Sequence, residues 1–124
     1  MQKILFLAAA GALGTVARAG ITEFVQRGLG LKFPWGTVAV NILGCFLFGL
    51  VWAFAESRSH INPQLRFVVL VGFMGAFTTF SSYMYDVGLL AQQARLGAAL
   101  GNVVLQNSVG IVCLLGGLAL GRVL

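Results

Sequence analysis

The chain has 124 residues and a mass of 13.1 kDa; it is 59% hydrophobic and 9% charged, with a mean hydropathy of +0.95. Water-soluble domains clothe themselves with about 25% charged residues, so a soluble enzyme is excluded. Intrinsic disorder is excluded too, because ten Phe, two Trp and two Tyr accompany the long apolar runs. The net charge of +5 is scattered rather than gathered in a patch, so it gives no footprint for nucleic acid.

The apolar excess has to face lipid. The stretches Phe33–Ala55, Phe67–Tyr85 and Leu96–Gly121 carry no charge, and each reaches the roughly 20 residues an α-helix needs to cross a bilayer. An N-terminal stretch, Ile4–Ala17, becomes a fourth span only if Arg18 is included. Lys3, the apolar Ile4–Gly14 run and Ala17-Arg18-Ala19 also have the outline of a secretory signal peptide. The Arg inside that cleavage tripeptide and the resumed apolar pattern at Ile21–Val25 favour a helix that stays. The expectation is an all-α membrane protein, one domain over 1–124, with spans at about 3–26, 33–55, 65–94 and 96–122.

In chain order, span one carries Gly11 and Gly14 along one side. Span two opens with Pro34 in its first turn, where a missing N–H costs little, and holds Asn41 close to its middle. A polar side chain in lipid must face protein or water; an interhelical hydrogen bond and a pore position are both open for Asn41. The loop Glu56–Gln64 contains His60, alone and without metal-ligand spacing. Cys45 and Cys113 lie inside spans and read as small hydrophobes.

Span three is unusual. Gly72-Phe73-Met74-Gly75-Ala76-Phe77-Thr78-Thr79-Phe80-Ser81-Ser82-Tyr83 places glycines and hydroxyls at mid-membrane. Such a run invites a break, and broken backbone at membrane depth survives only where protein, water or an ion satisfies it. Phe77, Phe80 and Tyr83 form a stripe that alone reads as core packing, and with its hydroxyl neighbours as the lining of a narrow passage. In span four, Asn102 and Gln106 share a face at i, i+4, with Asn107 and Ser108 adjacent. Gly97/Gly101 and Gly117/Gly121 have the small-xxx-small spacing of packing faces.

Topology follows the Lys/Arg balance of the two membrane sides. Lys3, Arg58, Arg66 and Arg122 belong to one side; Arg27, Lys32, Arg95 and Arg18, nearest that end of its helix, belong to the other. An even balance gives no orientation bias, and such a chain can insert both ways and pair antiparallel with itself.

Three strings carry a resemblance: Gly11-x-x-Gly14-x-x-x-Arg18, Pro34-Trp35-Gly36-Thr37-x-x-x-Asn41-x-x-Gly44, and Gly72-Phe-x-Gly75-x-x-Thr78-Thr79-Phe80-Ser81. They resemble the Fluc (CrcB-type) fluoride channels over the whole chain, with the third string the most diagnostic. The resemblance implies a dual-topology antiparallel homodimer in a bacterial inner membrane, multi-pass and not an enzyme, that passively lets fluoride leave the cell. By motif, Asn41 would project into the pore, with Phe80 and Tyr83 as the aromatic pair. Tyr83 stands where the family commonly has Phe. Ser81 and Ser82 would form a polar track completed by Ser108, and Arg18 would draw anions to a vestibule. The Gly75 and Thr78 carbonyls would hold a structural Na⁺.

Fluoride is small and strongly hydrated, so a dry pore must replace water with donors such as amide N–H, hydroxyls and the positive edges of rings. Two other readings of the sequence remain open. One is a small dual-topology multidrug exporter, which needs a membrane-embedded carboxylate; Glu23, Glu56 and Asp86 all lie towards span ends. The other is a membrane assembly subunit without transport.

Overall fold

Lipid offers a backbone no hydrogen-bond partner, so apolar runs of this length close into helices. The computed structural model, which describes residues 1–124, is entirely helical, and four of its stretches are long and apolar enough to cross a membrane. They are α1 (Gln2–Leu29), α2 (Trp35–Glu56), a composite third span (Pro63–Gln92) and α6 (Leu96–Val123). The third span comprises α3 (Pro63–Phe67), a π-helical segment (Val68–Met74), α4 (Gly75–Phe77) and α5 (Phe80–Gln92).

Local chemistry sets the ends. α1 stops at Gly30, whose φ of 93° suits glycine. Gln26 then ties down the turn into α2: Nε2 donates to the Gly30 and Phe33 carbonyls at 2.5 and 2.8 Å, and Oε1 accepts from the Gly36 N–H at 3.0 Å. The third span opens on Asn62-Pro63, with Asn62 Oδ1 accepting from the Gln64 N–H at 2.8 Å.

Glycines decide how the helices meet. A Cβ added at Gly117 would lie 2.1 Å from the Phe46 carbonyl oxygen, and one at Gly121 2.4 Å from that of Leu50. α6 therefore lies directly on the backbone of α2, in parallel, with rising numbers on one helix matching rising numbers on the other. Gly14 does the same for α1, where an added Cβ would come 2.3 Å from the Phe73 carbonyl oxygen. Val40, Leu70, Met74 and Phe77 form the small buried core between α2 and the third span.

Only 21 of the 124 residues are buried. The remaining apolar surface, which includes Phe24, Val16, Leu100 and Val112, needs lipid or another protein surface against it. Arg58 Nη2 donates to the Leu124 carbonyl at 2.6 Å, and Lys3 sits 4.4 Å from the Phe67 ring centroid, so these cations share one end of the bundle. Arg95 bonds the Lys32 carbonyl at the other end.

Candidate functional site at the helix break

The third span breaks between α4 and α5. Thr78 (φ −89°, ψ 158°) and Thr79 (φ −148°, ψ 113°) are extended. Side chains take the place of the lost helical bonds. The Thr79 N–H, which a continuous helix would direct to the Gly75 carbonyl, donates to Asn41 Oδ1 at 2.8 Å, and Asn41 Nδ2 donates back to the Thr79 carbonyl at 3.0 Å. The Ser82 N–H, which would otherwise reach the Thr78 carbonyl, donates to Thr79 Oγ1 at 3.2 Å, making Thr79 the N-cap of α5. The Gly75 and Thr78 carbonyls are thus among those that lose their helical donors at the break. Gly44 makes room for the break: a Cβ there would meet Thr78 Cγ2 at 2.1 Å.

Asn41 also leads into a chain of amides. Its Nδ2 donates to Gln106 Oε1 at 2.8 Å, and Gln106 Nε2 donates to Asn102 Oδ1 at 2.8 Å. Asn102 is fully buried and its Nδ2 has no partner. Both Asn41 amide protons are therefore engaged by protein oxygens, one on the Thr79 carbonyl and one on Gln106. Of the two positions open for Asn41, the interhelical hydrogen bond is present, and the residue also borders the cavity beside it; its place at the break makes it the clamp of the broken backbone. Gln106 and Asn102 stood out in the sequence as a polar stripe, but nothing there identified Asn41 as the acceptor's partner.

Beside this chain lies a cavity of about 310 Å³ lined by Asn41, Thr78, Thr79, Phe80, Tyr83, Gln106 and Asn107, among others. Phe80 and Tyr83 stand edge to face, their centroids 5.8 Å apart at 74°. Phe80 is 73% exposed and Tyr83 only 6%. The Tyr83 hydroxyl oxygen accepts from Asn107 Nδ2 at 2.8 Å.

The polar contribution of α6 comes from Gln106 and Asn107, and Ser108 does not line the cavity. At 100° per residue Ser108 points about 200° away from Gln106, and it is exposed on the outside of this chain.

On the other side of the break, a cavity of about 530 Å³ is lined by Arg18, Thr22, Glu23, Gln26, Thr37, Thr79 and Ser82. Thr79 borders both cavities. Ser82 Oγ accepts from Thr79 Oγ1 at 3.0 Å, and Ser81 Oγ lies 3.4 Å from that hydroxyl on the exposed side. Arg18 is half-buried, with its Nε unpartnered. Because α1 runs on to Leu29, Arg18 lies close to the middle of that helix rather than near its end. Glu23, the nearest carboxylate on α1, is paired with Arg27 instead.

Four apolar spans, one of them broken at mid-depth and flanked by two cavities that meet at Thr79, define a multi-pass membrane protein organised around a discontinuous helix. A family model described as CrcB-like protein, Camphor Resistance (CrcB), matches residues 5–118. A protein of Solidesulfovibrio magneticus named fluoride-specific ion channel FluC is 48% identical over 124 residues, covering 100% of this chain and 99% of the relative. Proteins of the same name from Desulforapulum autotrophicum and Nitrosococcus oceani are 46% and 44% identical over 123 residues, each covering 99% of this chain and 98% of the relative. The chain belongs to the CrcB-like family.

Proposed function

We propose that this protein is a passive fluoride channel of a bacterial inner membrane, working as an antiparallel dual-topology homodimer. The observation that carries the reading is the break itself: two largely apolar cavities meet at Thr79, one holding Phe80 and Tyr83 and the other Arg18 and Ser82. The relatives named above as fluoride-specific channels support it across the full chain. In this reading Arg18 draws the anion into the cavity beside Ser82 and Thr79, and the edges of Phe80 and Tyr83 offer it a partly positive surface in place of water. Arg18 lines the cavity beside Ser82 but not the one at the aromatic pair; a full charge fixed there would bind the ion too tightly to release it.

The donor set at the break suits a hard monovalent cation. No three His, Cys, Asp or Glu side chains come together to hold a metal, whereas the Gly75 and Thr78 carbonyls have lost their helical donors. Unwound carbonyls are the groups with which membrane proteins hold Na⁺. We assign them to Na⁺, which when bound supplies a fixed positive charge and satisfies the freed oxygens.

A coupled exporter would need a carboxylate at its substrate site, and neither Glu23, Glu56 nor Asp86 borders the cavity holding Phe80 and Tyr83. The test is Phe80→Ile in liposomes, with efflux normalised to folded dimer. Ile keeps apolar bulk and removes the quadrupole, so fluoride flux is expected to collapse. Full flux would move the pathway away from the aromatic pair.

A further inference from the structure

The hydrogen bond between Asn107 and Tyr83 can be read for direction as well as length. Asn107 Nδ2 lies 2.8 Å from the Val103 carbonyl oxygen and 2.8 Å from the Tyr83 hydroxyl. The carbonyl can only accept, so it fixes which end of the Asn107 amide carries nitrogen. The amide cannot turn over without setting its own oxygen against the Val103 oxygen. Its second proton therefore goes to the Tyr83 hydroxyl, which must accept it. A phenol has a single proton, and that proton is left pointing away from Asn107. No protein acceptor takes it, although Tyr83 is only 6% exposed and borders the cavity with Phe80 and Gln106.

We infer that the Tyr83 hydroxyl is a dedicated anion donor, held in that role by Asn107 as a positioning residue. This rests on the fluoride-channel reading and adds to it a second kind of contact, an O–H donor beside the ring edges. Neutral amides that donate only into protein, as Asn41 does, leave the anion few polar protons in this cavity. Tyr83 supplies one. The donation by Asn107 into the phenol oxygen polarises the O–H and strengthens its onward bond, as in any chain of hydrogen bonds.

The chain has two tyrosines. Tyr85 is 68% exposed and lines neither cavity, so Tyr85→Phe leaves Tyr83 as the sole tyrosine reporter in an otherwise intact protein. In that variant, ultraviolet resonance Raman of the tyrosine ring doublet reads whether the hydroxyl accepts or donates. Titrating NaF is expected to lower the doublet ratio toward the donor form, and a ratio unmoved by fluoride would overturn the inference. Efflux gives an independent arm. Tyr83→Phe keeps the ring edge, so maximal fluoride efflux is expected to persist within about twofold. The half-saturating fluoride concentration should rise at least about tenfold, the loss of one hydrogen bond to a charged group. An unchanged half-saturation in a conducting Tyr83→Phe dimer would overturn the donor role and leave the channel reading standing. Parent protein that conducts no fluoride would overturn both.

Discussion

At the scale of single residues, Asn41 does the most. Its oxygen takes the Thr79 N–H and its nitrogen serves both the Thr79 carbonyl and Gln106. Removing one partner of a buried hydrogen bond costs about 1–3 kcal/mol for each group left bare. Asn41→Leu is therefore expected to lower resistance to unfolding and to abolish fluoride efflux together. Gln106→Leu, which strips one acceptor from Asn41 and one donor from Asn102, is expected to destabilise by a similar amount while leaving Asn41 on Thr79; thermal unfolding in detergent measures both. The sequence made Asn41, Asn102 and Gln106 conspicuous, because an amide in lipid has to be explained. It did not reveal their pairing. That depends on α2 and α6 lying in parallel at glycine contact, which brings Asn41 beside Gln106, and no local signal carries this. Ser108 is likewise legible as a polar residue, and its exposed face on this chain follows from the register of α6.

At the scale of elements, the break was legible and its construction was not. Two glycines and four hydroxyl residues over Gly72–Ser82 announce backbone that will not stay helical in lipid. Thr79 as the N-cap of α5 is also ordinary helix chemistry. The π-helical Val68–Met74 segment has no comparable signature in the sequence; it packs against α1 at Gly14 and Gly72. Thr79→Ala removes the cap that holds the Ser82 N–H and is expected to cost about 1 kcal/mol, with Thr79→Ser close to neutral. Gly117→Ala places a methyl against the Phe46 carbonyl of α2, and overpacking of this kind costs about 1–3 kcal/mol or more. Gly116→Ala, with open space around its Cβ, is expected to leave the fold of the chain intact. The pair compared by unfolding in detergent reports whether α2 and α6 meet along this line.

At the scale of the molecule, cations stand at both ends, Lys3, Arg58, Arg66 and Arg122 against Arg27, Lys32 and Arg95, with Arg18 near the middle of α1. Lys3, Arg58 and Arg66 lie 4.4, 4.1 and 4.0 Å from the ring centroids of Phe67, Phe54 and Trp52. Such cation–aromatic pairs sit comfortably at a membrane interface. Arg27, Lys32 and Arg95 gather at the opposite end. A difference of one cation gives little orientation bias, so C-terminal reporter fusions are expected to be active on both sides of the membrane. Two or three lysines added to one loop should force a single orientation and silence the protein until an oppositely biased copy is supplied. A reporter confined to one side in nearly all molecules would contradict the proposed antiparallel assembly.

The central claim is that this chain alone conducts fluoride, and purified protein in liposomes tests it most directly. Vesicles loaded with KF are diluted into fluoride-free buffer, valinomycin is added to carry the balancing K⁺, and external fluoride is followed with an electrode. Protein-containing vesicles are expected to release their fluoride passively, with no imposed pH gradient, while protein-free vesicles retain it. Retention in vesicles shown to hold folded protein would contradict the channel assignment.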